Sequence, residues 1–272
     1  MTVELGPSRR RLTAALVPGI GWDCFSDWLD PQGTAATHIR QFGYDMVAIG
    51  VDGLSSTTTN ARQIRDAILA MEPEDAEPNL VLIGYSKGAP DILEAVVSYP
   101  EIRSRIAAVV AAAGAIGGSP VAAEVTQSKL ELLRKWPGAR CSTGDRGAVE
   151  SLLPETRRSW LAENPLPGGL AYYSLVTCPG PGRISSVLKP SYKKLSRTSP
   201  HNDGMMLLED QLIPGGTLIG CVNADHWALA VPIVRSHSML GSTIVDKNDF
   251  PREALLEAVL RFVEEDLEPT AR

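Results

Sequence analysis

Apolar residues fall along this chain in two kinds of run. Leu12 to Val17 and Asp45 to Val51 are short, near-continuous apolar stretches that stop at "PGIG" and "DGLSS", and Leu80 to Ile83 is a third that stops at a glycine. A strand covered on both faces reads this way, because neither face presents polar positions to water. Between the second and third runs, Asn60 to Met71 places Ala61, Ile64, Ala67, Ile68 and Met71 at helical spacing, one buried stripe on a polar cylinder. Ile106 to Ile116, Leu170 to Cys178 and Thr217 to Val222 predict three more strands. Pro251 to Leu267 predicts a closing helix, with Leu255, Leu256, Val259, Leu260 and Val263 on one face. Strands alternating with helices predict the α/β class, a mostly parallel sheet of about six strands with helices on both faces.

One segment departs from the alternation. Ser119 to Gly168 carries two predicted helices, about Val121 to Trp136 and about Gly147 to Glu163, joined by "PGARCSTGDRG". It reads as a helical cap inserted into a core made of residues 1–118 and 169–272. An ordinary long crossover is the alternative.

Composition narrows the function classes. With 272 residues, 44% of them hydrophobic, the chain can bury a sizeable core. The formal net charge is -6 and charges of both signs are dispersed, so nothing suggests a nucleic-acid partner or an anionic membrane surface. No run approaches the ~20 apolar residues of a membrane span. "SRRRLTAALVPGIG" resembles a twin-arginine export signal, but its apolar run is broken by Pro18, no small-residue cleavage site follows before Trp22 and Asp23, and the same run is required as the first strand. A cytoplasmic location is the expectation. The four cysteines lie far apart, without a CxxC pair or a histidine at ligand spacing, so no metal or other cofactor is expected. Cys178 and Cys221, in strand-like runs, read as buried small hydrophobes, and a disulfide through Cys141 stays open.

The third strand ends in "GYSKG", followed by a helix with Pro90 in its first turn. Strand, tight turn and helix are what a nucleophile elbow requires. Gly84 and Gly88 remove side chains that would crowd the turn, and the helix N-terminus favours developing negative charge. Ser86 is therefore a candidate nucleophile, and it needs a base. Of four histidines, His226 in "VNADHWALAVP" follows the last strand, where an open parallel sheet presents ligand-facing groups. His201 and His237 are weaker alternatives, and His38 lies in the predicted first helix. The base needs a carboxylate to set its tautomer. Asp203 in "SPHNDGMMLLED" supplies one in the order Ser86, Asp203, His226, although Asn-Asp-Gly is also an ordinary turn; Glu209 and Asp210 compete. Asp225, adjacent to His226, is a poor orienter. Two backbone N–H donors are required for an oxyanion: Lys87, after the nucleophile, and Ile20 in "VPGIGWD", where Gly19 and Gly21 let the backbone approach. A plain glycine-rich turn describes the same loop without the chemistry. The Lys87 side chain is expected at the pocket rim or in solvent.

The ordered set "LVPGIGWD", "GYSKG", "NDGMM" and "NADHW" resembles the α/β-hydrolases of the serine esterase and lipase type, over almost the whole chain. Two departures are visible: Pro18-Gly19 stands where many members have His-Gly, and the family's two N-terminal strands have no counterpart before Leu12. The resemblance implies cleavage of a carboxylic ester through a Ser-His-Asp triad and an acyl-enzyme, with a small-molecule ester or lipid as substrate and no integral membrane association. Gly19, Gly21, Trp22 and Tyr85 are expected to line the substrate site. Val121, Val125, Leu132, Leu133 and Trp136 would either meet an apolar acyl group or simply dock the cap. A thioesterase or acyltransferase using the same residues is one alternative, and a non-catalytic hydrolase-fold binding protein is another.

Overall fold

The computed structural model describes residues 6–25, 33–72, 78–125, 141–230, 246–247 and 249–268. Six strands, β1 (Thr13–Val17), β2 (Asp45–Ala48), β3 (Leu80–Tyr85), β4 (Ile106–Ala112), β5 (Ala171–Thr177) and β6 (Thr217–Val222), form one sheet in the order β2-β1-β3-β4-β5-β6. Every neighbouring pair is parallel. The described helices are α1 (Gly33–Arg40), α2 (Thr57–Ala70), α3 (Gly88–Ser98), α4 (Pro154–Glu163), α5 (Lys189–Leu195), α6 (His226–Ala230) and α7 (Arg252–Leu267).

Alternation along the strands explains the continuous apolar runs. Leu80 and Leu82 point to one face and pack with Ile64 and Ile68 of α2 and Ile92 and Val96 of α3. Val81 and Ile83 point to the other and pack with Ile39 of α1 and Val259, Leu260 and Val263 of α7. Both faces of β3 are covered, which is why Leu80 to Ile83 is apolar throughout. Parallel strands all deliver their carboxyl ends to one edge, and the loops leaving β1, β3, β5 and β6 meet there.

β2 ends at Ala48 rather than Val51 and α2 begins at Thr57 rather than Asn60, and two further boundaries differ more from the sequence expectation. β4 stops at Ala112 rather than Ile116, because Ala113 takes φ +46° and the chain turns so that the Ala115 N–H donates to the Ser86 carbonyl at 3.0 Å. The helix expected from Gly147 begins at Pro154. Residues before it are engaged elsewhere: the Asp145 carboxylate accepts from the Ser56 N–H at 2.6 Å, and from the hydroxyls of Ser56 and Thr59, at the N-terminus of α2. Burial opposes the Asp145 charge, but these hydrogen bonds outweigh it and hold the carboxyl well below the usual carboxylate range. α4 carries Trp160 and Leu161 onto the same sheet face as α2 and α3. Val121 packs with Leu195 and Leu207. Most of the helix expected over Val121 to Trp136 lies outside the described residues.

The cysteine expectation is corrected. All four are paired, Cys24 with Cys141 and Cys178 with Cys221. Cys221 is exposed on the edge strand β6 and Cys178 is half-buried after β5, so neither is a buried hydrophobe. The first bridge joins the segment after β1 to the segment between β4 and β5 across 117 positions. In the chain-entropy account, closing a loop of that length is worth about 4–5 kcal/mol. Among the described residues no helix is long and apolar enough to cross a membrane, and no group of His, Cys, Asp and Glu could hold a metal ion.

Candidate active site

Ser86 stands between β3 and α3 with φ +54°, a left-handed backbone that costs a non-glycine residue about 1–2 kcal/mol. Three hydrogen bonds impose it. The Ser86 N–H donates to the Ala112 carbonyl, and the Ser86 carbonyl accepts from the N–H groups of Ala89 and Ala115. The flanking glycines are sterically required: a Cβ at Gly84 would collide with the Ala89 backbone, and one at Gly88 with the Val17 carbonyl. This close packing brings the loop after β1 against the nucleophile, since a Cβ at Gly19 would lie 2.9 Å from Ser86 Cβ.

His226 opens α6 just beyond β6. Its Nε2 is 3.0 Å from Ser86 Oγ and its Nδ1 is 2.8 Å from Asp203 Oδ2. The three side chains are all buried, Asp203 fully. Nδ1–H donating to the carboxylate leaves Nε2 as the acceptor for the serine hydroxyl, the arrangement general-base chemistry needs. Asp203 is held on every side. Its Oδ1 accepts from the N–H groups of Met205 (2.9 Å) and Met206 (2.8 Å), and its Oδ2 accepts from the Thr177 hydroxyl at 2.6 Å. Burial raises the cost of its charge, but the histidine and these hydrogen bonds win, and the carboxyl is held below its ordinary range.

The competing residues lie elsewhere. His38 binds Glu257 between α1 and α7, His201 is exposed, and His237 lies outside the described residues. Asp225 caps α6, accepting from the N–H groups of Ala228 and Ser185. Asp210 pairs with Arg158 at 3.7 Å, and Glu209 is exposed. The N–H groups of Lys87 and Ile20 make no backbone hydrogen bond among the described residues, whereas the Gly21 N–H is taken by the Gly53 carbonyl. The Lys87 side chain corrects the expectation of a rim or solvent position: it is 1% exposed and paired with Asp91.

Tyr85 stacks on the His226 ring with centroids 5.2 Å apart, donates its hydroxyl to the His226 carbonyl at 2.7 Å, and meets Trp22 edge-on. Both aromatics border a cavity of about 670 Å³ on the α1/α7 face of the sheet, which is bounded also by Pro18, Leu229, Leu255 and Val259. Two groups escaped the sequence reading. Thr177, at the carboxyl end of β5, holds Asp203, and Gln211 in turn accepts the Thr177 N–H at 2.8 Å. A lone threonine ending an apolar strand was the sole signal.

A serine on a strained strand-to-helix turn, hydrogen-bonded to a histidine and through it to a buried carboxylate, defines a hydrolase architecture. The sequence matches no protein-family model and no curated protein. Among solved structures, a metagenomic carboxyl esterase, MGS0156, is 38% identical with a TM-score of 0.87, covering 98% of this chain and 79% of its own. The chain belongs to the carboxyl esterases of the α/β-hydrolase superfamily and is a carboxylic ester hydrolase. The fold also matches the mature Bacillus licheniformis lipase BlEst2 (17% identity, TM-score 0.65, 87% of this chain and 92% of that one). It likewise matches the Staphylococcus hyicus lipase (11% identity, TM-score 0.64, 97% and 99%).

Proposed function

We propose that Ser86 is the nucleophile, His226 the general base and then acid, Asp203 the group that orients and charge-compensates it, and the N–H groups of Lys87 and Ile20 the oxyanion donors. Ser86 Oγ attacks the ester carbonyl carbon while its proton passes to His226 Nε2. The carbonyl oxygen becomes an oxyanion facing the two N–H donors. Collapse breaks the bond to the alkoxide, which takes the proton from His226 and leaves as the alcohol. Water then repeats the sequence on the acyl-enzyme, releasing the acid and restoring Ser86. The observation that carries this reading is the unbroken line Ser86 Oγ, His226 Nε2, His226 Nδ1, Asp203 Oδ2, with separations of 3.0 and 2.8 Å. A fluorophosphonate probe tests it: the adduct is expected on Ser86 by peptide mass mapping, and an unlabelled protein or an adduct elsewhere overturns the assignment.

The acyl side of the substrate is apolar in this reading. The cavity beside Tyr85 and Trp22 is lined mainly by aliphatic side chains, and its volume of about 670 Å³ suits a medium-length chain. In a series of p-nitrophenyl esters from acetate to dodecanoate, kcat/KM is expected to rise beyond acetate; a maximum at acetate counts against the apolar site. The two disulfides support residence in an oxidising compartment over the cytoplasm expected from the sequence.

A further inference from the structure

Charged groups with no part in the Ser86–His226–Asp203 line are buried around the first turns of α3. Lys87 directly follows the nucleophile, and its Nζ donates to both carboxylate oxygens of Asp91, at 2.8 and 2.9 Å. Asp91 is fully buried one turn along α3 and also accepts from Asn60 Nδ2 of α2 at 2.7 Å. Glu94 and Arg157 are buried nearby, and the Arg157 Nε donates to the Ile116 carbonyl. The buried group thus holds two cations, Lys87 and Arg157, and two carboxylates, Asp91 and Glu94.

A buried ion pair is by itself weak evidence of a stabilising role. Desolvation takes back most of the attraction inside a buried ion pair, and an apolar pair of similar volume often does as well or better. What an ion pair with fixed hydrogen bonds adds is direction. The residue that carries it here is the one whose backbone N–H is read above as an oxyanion donor. That peptide follows a serine at φ +54°, a conformation that relaxes unless its neighbours hold it. The side chain of Lys87 is tied to α3 through Asp91 and, through Asn60, to α2, whose own Asn60 N–H donates to the Ser56 carbonyl.

We propose that Lys87, Asp91 and Asn60 form a positioning chain that fixes the Lys87 peptide, so that its N–H stays aimed at the oxyanion. The proposal rests on the reading of that N–H as an oxyanion donor. The three side chains act through the Lys87 peptide and touch no substrate themselves.

The test compares wild type with the apolar double variant Lys87→Met/Asp91→Leu and with Asn60→Ala, which leaves the ion pair but releases it from α2. Turnover of p-nitrophenyl butyrate is measured per active site titrated with a fluorophosphonate. Affinity is measured for an alkyl boronic acid, whose serine adduct is tetrahedral, and for butyrate, which is not. In the double variant kcat per titrated site is expected to fall about tenfold to a hundredfold with KM unchanged, below the loss from deleting a donor outright. Boronic acid affinity should fall by the same factor while butyrate affinity holds, and Asn60→Ala should move the same pair of readouts several-fold. A purely structural role would shift the melting temperature and the titrated fraction and leave kcat per site and boronic acid affinity where they were, which overturns the proposal. Should the double variant not fold, Asn60→Ala alone decides by the same criterion. Failure of the wild type to react with the fluorophosphonate is a different result, and sinks the nucleophile assignment instead.

Discussion

Replacing Ser86 with alanine is expected to lower kcat on a short p-nitrophenyl ester by about five to six orders of magnitude, to the level left by binding and the oxyanion donors. The loss originates at a single atom. Removing Oγ leaves His226 Nε2 with nothing to deprotonate at 3.0 Å, and the described neighbourhood holds no other nucleophile on that nitrogen. The turn itself should survive. Its left-handed geometry is imposed by backbone bonds to Ala112, Ala89 and Ala115, which alanine keeps. Far-ultraviolet circular dichroism and a melting temperature within a few degrees of wild type would show that the fold persists. A variant retaining a tenth of wild-type turnover would remove Ser86 from the mechanism.

The second large effect is expected from Asp203→Asn, a loss of about 10⁴ in kcat at neutral pH. The substitution conserves shape, so the loss comes from hydrogen-bond sense. The carboxylate accepts four hydrogen bonds: two from the Met205 and Met206 N–H groups on Oδ1, and two from Thr177 and His226 on Oδ2. An asparagine has one oxygen for these donors. If that oxygen faces the two N–H groups, its NH₂ meets His226 Nδ1, forcing the tautomer whose Nε2 carries a proton and cannot accept one from Ser86. If the amide flips, NH₂ confronts two backbone N–H donors in a fully buried site, at a cost of about 1–3 kcal/mol for each group left unpaired. Activity is expected to recover partially toward high pH, where hydroxide can take the Ser86 proton that the blocked base cannot. Turnover measured from pH 6 to 10, with the melting temperature recorded alongside, separates this from misfolding. A flat tenfold loss across that range would make Asp203 a structural anchor only.

The fold was largely legible because its signals are local. β6 spans Thr217–Val222, the range its apolar pattern marks, and the last helix ends at Leu267, the end its sequence predicts. The elbow is legible because Gly84, Ser86 and Gly88 fall within five residues at a strand end, and a Cβ at Gly84 would strike Ala89 just beyond them, although the demand for Gly88 comes from the distant Val17 carbonyl. Boundaries failed where another part of the chain set them. Ile106 to Ile116 is uniformly apolar, and only the Ala115 bond to the Ser86 carbonyl reveals that its last residues wrap the nucleophile turn. The start of α4 moved to Pro154 because residues 144–147 are drawn to the α2 N-terminus by Asp145, across 86–90 positions of sequence.

From the sequence alone came the alternation of buried strands and amphipathic helices, the parallel sheet it implies, and the short roster of groups able to do acyl transfer. Each rests on side-chain period or on the shape of a single turn, which a chain carries wherever it goes. Only the tertiary structure decided which carboxylate meets His226, that Thr177 and Gln211 stand behind it, that Lys87 turns inward to Asp91, and that Cys24 finds Cys141. Those facts depend on which carboxyl ends and loops the sheet order brings side by side. Spacing along the chain is silent on that, because the cost of closing a loop rises only slowly with its length and leaves many partners open.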